Sequence, residues 1–400
     1  MSNTGQSRTQ IVFLLLLVAI FYLNFMARVI ISPLLPGLED ELAITHSQSA
    51  SLFLYLNLGY FLALLASGFF SSAIGHRRVL ILSPAGIGLM MLCMASVETL
   101  VSIKIFVLFT GIFAGLYLPS GITTISGLFQ KANWGKAFGV HELAPNLAFL
   151  SAPILVAVLL ESTSWQYIMA VIGAFALLTA VIYFLFGSRE NFEGEAPTMA
   201  QCRPLFKLPA FWLMIFIFGN GIASTMGIYN MLPLFLVSEH GWAQDSANTL
   251  VSLSRVATLI TALVGGWLVD RYGPGKTMFA VLLLTGLITV ILSWSDGRLL
   301  LAMVFLQPVL AVCFFPAGFT TLVNLVPSQS RNVVVSLTIP FAVFFGGGVV
   351  PAVIGFLADN GLFREGISTA GLLMMAAGLV ARFRMAVGVP GHRALTGKGV

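Results

Sequence analysis

Charge is what this sequence has least of. Only 9% of its 400 residues are Asp, Glu, Lys or Arg, while 58% are hydrophobic and the mean hydropathy is +0.97. A soluble domain carries roughly 25% charged residues, so these proportions predict an all-α integral membrane protein whose main surroundings are lipid. Cysteine is equally sparse. Cys93, Cys202 and Cys313 are odd in number and two lie in apolar segments, which implies no disulfide framework. The five histidines are scattered, so no metal site is expected. No glycine loop for phosphates, nucleophile elbow or nucleic-acid module occurs, and we expect neither enzyme chemistry, nor a cofactor, nor a nucleic-acid partner. Asn-x-Ser/Thr sites are absent too. With the short N-terminus and tail, this fits a bacterial inner (plasma) membrane.

What is present is a series of apolar runs. Segments of about 20 residues fall near 11–35, 48–70, 79–97, 104–128, 137–160, 166–186, 211–237, 249–269, 277–295, 299–326, 333–357 and 367–388. Twelve helices are therefore expected. The longest polar interval, residues 187–210, follows the sixth. It predicts an N-terminal six-helix bundle over 1–186, a cytoplasmic linker over 187–210, a C-terminal bundle over 211–388 and a tail over 389–400. With the N-terminus inside, fifteen Lys/Arg fall on the cytoplasmic side and three, Lys104, Arg298 and Arg364, on the other. That asymmetry obeys the positive-inside rule and places both termini in the cytoplasm.

The halves repeat one another. SGFFSSAIGHRR (67–78) follows the second run, and GGWLVDRYGPGK (265–276) follows the eighth, 198 residues later; YLPSGITTISGLF (117–129) parallels FFPAGFTTLVNLV (314–326) at an offset of 197. A duplicated six-helix unit is the repeat logic of secondary transporters, with the substrate held near mid-membrane. On these residues the whole chain resembles the major facilitator superfamily. The family signature G-x-x-x-D-[RK]-x-G-[RK]-[RK] is matched by Gly266, Asp270, Arg271 and Gly273, with Lys276 close behind. In the first half Gly68, Gly75, Arg77 and Arg78 match, but Ser72 and Ala73 replace the acid and base. The resemblance implies that this motif gates the transporter, with Asp270 acting at the start of a helix in the opposite half. It also implies a transporter that works as a monomer. The proline–glycine motif of family antiporters is not met by HELAPNLAFLSAPILV (141–156).

Three charges sit inside apolar runs, away from their ends and counted on neither side. Arg28, in FYLNFMARVIISPLLP, lies five residues before Pro33 and shares a helical face with Asn24 and Ser32. Arg255 lies six residues inside the eighth run, flanked by Ser252 and Thr258, and its counterpart in the first half is Asn57. A guanidinium at such depth costs at least about 2.5 kcal/mol. Snorkelling toward headgroups is the bland alternative, and the polar neighbours on each face argue against it. Arginine suits a two-pronged grip on carboxylate, phosphate or nitrate, so Arg28 and Arg255 are the candidate substrate anchors. In the resembling superfamily, arginines of helices one and eight recur as anchors in anion-carrying branches. Glu142 is the one acid within a run. It is the candidate proton carrier, weighed against a helix-dipole role, with His141 beside it as a second candidate.

Further polar residues share faces that line a cavity or glue helices together: Tyr117 and Thr124 in the fourth run, Asn220 and Ser224 in the seventh, Thr320 and Asn324 in the tenth. The expected function is proton-coupled symport of a small organic anion, carboxylate-like, by alternating access. Proton-coupled efflux of drugs or metabolites is the second reading, and a transport-inactive receptor or scaffold the third.

Overall fold

A computed structural model describes residues 3–130, 133–188, 199–324 and 331–386. Most of the expected linker (189–198) and the tail 389–400 lie outside the described residues. Within them the chain is helical, and no strand occurs. The helices are α1 (Asn3–Val29), α2 (Ile31–Leu42), α3 (His46–Ile74), α4 (His76–Met94), α5 (Leu100–Leu128), α6 (Trp134–His141), α7 (Leu143–Leu159) and α8 (Trp165–Phe186). The short α9 (Met199–Phe206) precedes α10 (Pro209–Ile222), α11 (Ile228–His240), α12 (Gln244–Ser254), α13 (Thr258–Tyr272), α14 (Pro274–Trp294) and α15 (Gly297–Val312). The last four are α16 (Phe314–Asn324), α17 (Arg331–Val343), α18 (Val350–Ala358) and α19 (Phe363–Ala386). Ten helical stretches among the described residues are long and apolar enough to cross a membrane, or eleven if the bent pair α12–α13 counts as one. The 24-residue α19 follows as a further helix over the last expected run, outside that set.

Several expected spans are interrupted, each at a definable place. The first runs on past Pro33 to Leu42 and is broken at Ile30, between α1 and α2. The fifth breaks at Glu142, which ends α6 and precedes α7. The eighth breaks at residues 255–257. The seventh and eleventh each contain a widened π-helical turn, Ala223–Gly227 and Phe344–Val349. The two turns abut. A Cβ on Gly346 would lie 2.3 Å from the Gly219 carbonyl oxygen, and one on Gly227 would lie 2.6 Å from that of Gly346.

Contacts divide the chain into two compact units. The first comprises Met1–Ala43, Tyr55–Ala196 and Gln244–Ser252; the second comprises Ile44–Leu54, Pro197–Ala243 and Leu253–Val400. Each is built chiefly from one sequence half but takes a short segment from the other, for a visible reason. In the first unit Gln244 and Asn248 donate side-chain N–H bonds to the Pro33 carbonyl at 2.8 and 3.1 Å, and Ser252 donates to the Leu150 carbonyl. Two side-chain amides of α12 thus converge on one carbonyl of α2. In the second unit Asp359 accepts from the Thr45 hydroxyl at 2.7 Å and the Ser47 amide at 3.2 Å, at the start of α3. An acid there satisfies an orphan donor and favours the positive helix end.

The sequence repeat reappears as packing. In the first unit Gly88 of α4 and Gly173 of α8 touch backbone to backbone: a Cβ on either would come within 2.6 or 2.9 Å of the other's carbonyl oxygen. In the second unit Gly286 of α14 and Gly371 of α19 do the same at 2.5 and 2.7 Å. Each pair is displaced from the other by 198 residues. Gly75 and Gly273, again 198 apart, both hold φ +83° at the turn into the next helix, a conformation that penalises any side chain. Close approach of this kind lets membrane helices pack through backbone contact, as small residues generally do there. Gly88→Ala and Gly286→Ala are expected to lose about 1–3 kcal/mol through overpacking, seen as lowered melting temperatures of the detergent-purified protein. Gly135→Ala, with nothing within 4 Å of its added Cβ, is expected to cost nothing.

Candidate functional site

Arg28 is the next-to-last residue of α1 and only 2% exposed. Its guanidinium lies 4.0 Å from the ring centre of Tyr60 on α3 and 4.7 Å from that of Phe25. Asn24, one turn earlier, donates to the Ala114 carbonyl of α5 at 2.9 Å, and Ser32 is also buried. The stripe Asn24, Arg28, Ser32 thus faces protein, and snorkelling does not occur. A desolvated cation over an aromatic face gains about 2 kcal/mol or more. That offsets part of the burial cost and fixes the fork in one orientation.

Arg255 is 4% exposed and occupies the break between α12 and α13. One terminal nitrogen donates to the Thr225 carbonyl at 3.2 Å, and the guanidinium lies 4.7 Å from the ring centre of Tyr229. The Thr258 hydroxyl accordingly bonds the Arg255 carbonyl, at 2.6 Å, where the ladder is interrupted. The π turn explains the acceptor. A five-residue spacing displaces carbonyls from the regular ladder, and buried carbonyls require donors. Thr225 takes Arg255, and Ser224 takes the side-chain amide of Gln307 at 2.7 Å. The two units therefore solve one problem in exchanged order. In the first, the arginine comes from the first span and the tyrosine from the second; in the second unit, the tyrosine comes from the seventh span and the arginine from the eighth.

A third cluster lies in the first unit. Tyr117 of α5 is fully buried and its hydroxyl donates to the Leu17 carbonyl of α1 at 2.7 Å. The same oxygen lies 3.0 Å from Nε2 of His141, whose ring stacks on Phe21 at 4.3 Å between centres. Nδ1 of His141 lies 3.4 Å from a carboxylate oxygen of Glu142; the histidine side chain is 0% exposed and the glutamate 61%. Glu142, expected inside a continuous run, is instead an accessible carboxylate at the break between α6 and α7. His141 adjoins it and is the buried member.

The remaining expected residues are placed as follows. Thr124 and Ser224 direct their hydroxyls at Ser120 and Gly221 carbonyls at 2.8 and 2.7 Å, and the Asn220 amide donates to the Phe216 carbonyl at 2.9 Å. Thr320 is half-buried and Asn324 exposed at the end of α16. Of the gating motif, Arg77 donates to the Phe184 and Ser188 carbonyls at 2.7 and 3.2 Å, closing the end of α8. Asp270, Arg271, Arg78 and Lys276 are exposed, and Ser72 donates to the Phe69 carbonyl. A cleft of about 200 Å³ in the first unit is lined by Glu161 and Asp245 with Gln244 and Asn248. Two carboxylates and no base make it unsuited to an anion. Tyr60, Tyr229 and Gln307 were not singled out from the sequence. Gln307 had a signal, as the one amide in the middle of the apolar run 299–326, whose other amide, Asn324, lies near its end; the tyrosines had none.

The sequence model of the Major Facilitator Superfamily matches residues 16–244 and 222–399. The chain belongs to that superfamily and is a multi-pass membrane transporter, not an enzyme. It is similar to a probable nitrate transporter of Staphylococcus aureus (26% identity over 371 residues, 90% of this chain and 92% of that one). It is also similar to a D-galactonate transporter of Escherichia coli (23% over 364 residues, 81% and 83%). Matched stretches among the relatives range from 60% to 92% of the relative's own length. Among solved structures, a bacterial homolog of the human lysosomal transporter Spinster superposes with a TM-score of 0.80 at 15% identity, covering 93% of this chain and 96% of that one.

Replacing Gln307 by Leu leaves the Ser224 carbonyl buried without its donor. The expected loss is about 1–3 kcal/mol, read as a lower melting temperature; an unchanged melt would show that the π turn does not need this amide.

Proposed function

We propose that this transporter carries a small planar anion, carboxylate-like, together with protons, and that Arg28 and Arg255 are its two anchors. The observation that carries the proposal is the setting of Arg28: a guanidinium 2% exposed, held over the Tyr60 ring and flanked by Asn24 on one buried stripe. Intramembrane charges that are neither lipid-facing nor snorkelling mark substrate pathways by default. A guanidinium braced by aromatic rings keeps its N–H edge in one plane, the geometry that a carboxylate or nitrate matches with two parallel bonds. Arg255 is braced in the same way by Tyr229 and by the Thr225 carbonyl. In this reading each arginine offers the anion a braced fork within its own unit, and transport proceeds by alternating access.

Nitrate is a second reading with its own support, the similarity to a probable nitrate transporter across 92% of that protein's length. Carboxylate and nitrate both present a planar pair of oxygens on one trigonal atom, and the similarity to a D-galactonate transporter favours the former. The coupling proton is assigned to the pair His141 and Glu142, and the gating role to the glycine–arginine motif with Asp270. The functional unit is a monomer, in a bacterial inner membrane with both termini cytoplasmic.

Equilibrium binding of nitrate and D-galactonate to the purified protein tests the anchors. Arg28→Ala is expected to weaken binding more than about a hundredfold, in line with the 2–5 kcal/mol lost when one partner of a buried charge pair is truncated. Arg28→Lys keeps the charge but loses the fork, and is also expected to weaken binding substantially. Unchanged anion binding in both Arg28→Ala and Arg255→Ala would overturn the anion reading and promote efflux of a neutral or cationic solute.

A further inference from the structure

The buried histidine of the first unit has its proton position fixed by its surroundings. The Tyr117 hydroxyl carries one proton. The Leu17 carbonyl, 2.7 Å away, can only accept, so that proton points to Leu17. Toward Nε2 of His141, 3.0 Å away, the phenol oxygen is then left as an acceptor. Nε2 must carry hydrogen. The neutral ring therefore presents its bare nitrogen, Nδ1, to the Glu142 carboxylate 3.4 Å away. Lone pair faces anion, and one proton between them resolves the conflict. The titratable and charged side chains described on the elements packed against His141 are Tyr22 and Arg28 on α1, Lys104 and Tyr117 on α5 and Lys136 on α6, with Glu142 leading into α7, which carries none. Tyr183 of α8 joins the same apolar cluster. Of these, only Tyr117 and Glu142 lie within hydrogen-bond or ion-pair range of the imidazole.

We propose that His141 stores the coupling proton on Nδ1, that Glu142 is the port through which it arrives and leaves, and that Tyr117 is the positioning residue that selects the nitrogen. This rests on the proton-symport reading above and divides its labour. The step balances simply. A proton from water passes by way of the accessible Glu142 oxygen to the Nδ1 lone pair, the ring becomes imidazolium beside a carboxylate, and release reverses both transfers. The store and the proposed anchor share a pair of helices. Leu17 and Asn24 lie two helical turns apart on α1, and their partners, Tyr117 and the Ala114 carbonyl, lie one turn apart on α5. One seam between α1 and α5 thus holds the proton site and the residue beside Arg28. Tyr117 accordingly leaves the list of substrate contacts.

Two measurements test this. In nitrogen NMR of the histidine-labelled protein, assigned by loss of one signal in His141→Gln, neutral His141 is expected with hydrogen on Nε2. Tyr117→Phe is expected to mix the two neutral forms. Hydrogen on Nδ1 in the unmodified protein would overturn the assignment. In proteoliposomes, using D-galactonate or nitrate as the probe, His141→Gln is expected to keep exchange within threefold and to lose accumulation driven by a pH gradient. Glu142→Gln is expected to slow accumulation about tenfold yet reach the same final ratio. Loss of accumulation in Glu142→Gln but not in His141→Gln would make Glu142 the carrier and sink the proposal. No gradient-driven accumulation by the unmodified protein would instead remove the symport reading and the proton's role with it, while the NMR result reports the Tyr117 contact independently.

Discussion

Keeping two guanidinium groups out of water inside an apolar helix bundle is the constraint on which the rest of this structure turns. Neither arginine is allowed to reach a headgroup, and each is stabilised by an aromatic face: Tyr60 with Phe25 for Arg28, Tyr229 for Arg255. Local helix geometry bends to that demand. The first span breaks one residue beyond Arg28's helix, the eighth breaks at Arg255 itself, and the seventh widens into a π turn whose carbonyl receives it. Such interruptions are tolerated in lipid only where side chains re-satisfy the backbone. Gln307, Thr258 and Arg255 perform that service in the second unit.

The glycines set how closely the surrounding helices pack. Reciprocal contacts at Gly88 with Gly173 and at Gly286 with Gly371 bring α4 to α8 and α14 to α19 with no side chain between them. The same register, 198 residues apart, that relates the motifs at 67–78 and 265–276 relates these contacts and the two positive-φ turns at Gly75 and Gly273. Duplication preserved the scaffold and let the charges diverge. Arg255 stands where the first half has Asn57, and Arg28 has no basic counterpart in the second.

Much of this was legible in the sequence, for physical reasons. Long apolar runs are helices because lipid offers no other partner for the backbone, and the Asn24, Arg28, Ser32 stripe followed from helical spacing alone. What escaped was tertiary. A π turn has no local pattern, although the Gly346–Gly348 run lies in one and Ser224 and Thr225 in the other. The tyrosines bracing the arginines sit in other helices, so no spacing rule connects them. Glu142 was expected inside a continuous helix, whereas the break between α6 and α7 places it at an accessible end and transfers burial to His141. Both were named from the sequence; which one is enclosed depended on a helix end that hydropathy does not mark.

In the function proposed above, these buried arginines bind an anion. A ligand stabilises the state that binds it by RT ln(1 + [L]/Kd), about 2.7 kcal/mol at a hundredfold excess over Kd. Thermal melting of the unmodified, detergent-purified protein against nitrate, phosphate, a series of small carboxylates and matched neutral sugars asks the question without any substitution. A concentration-dependent rise in melting temperature is expected with a planar monoanion and none with the neutral analogues. Stabilisation by neutral or cationic solutes, with none by any anion, would contradict it.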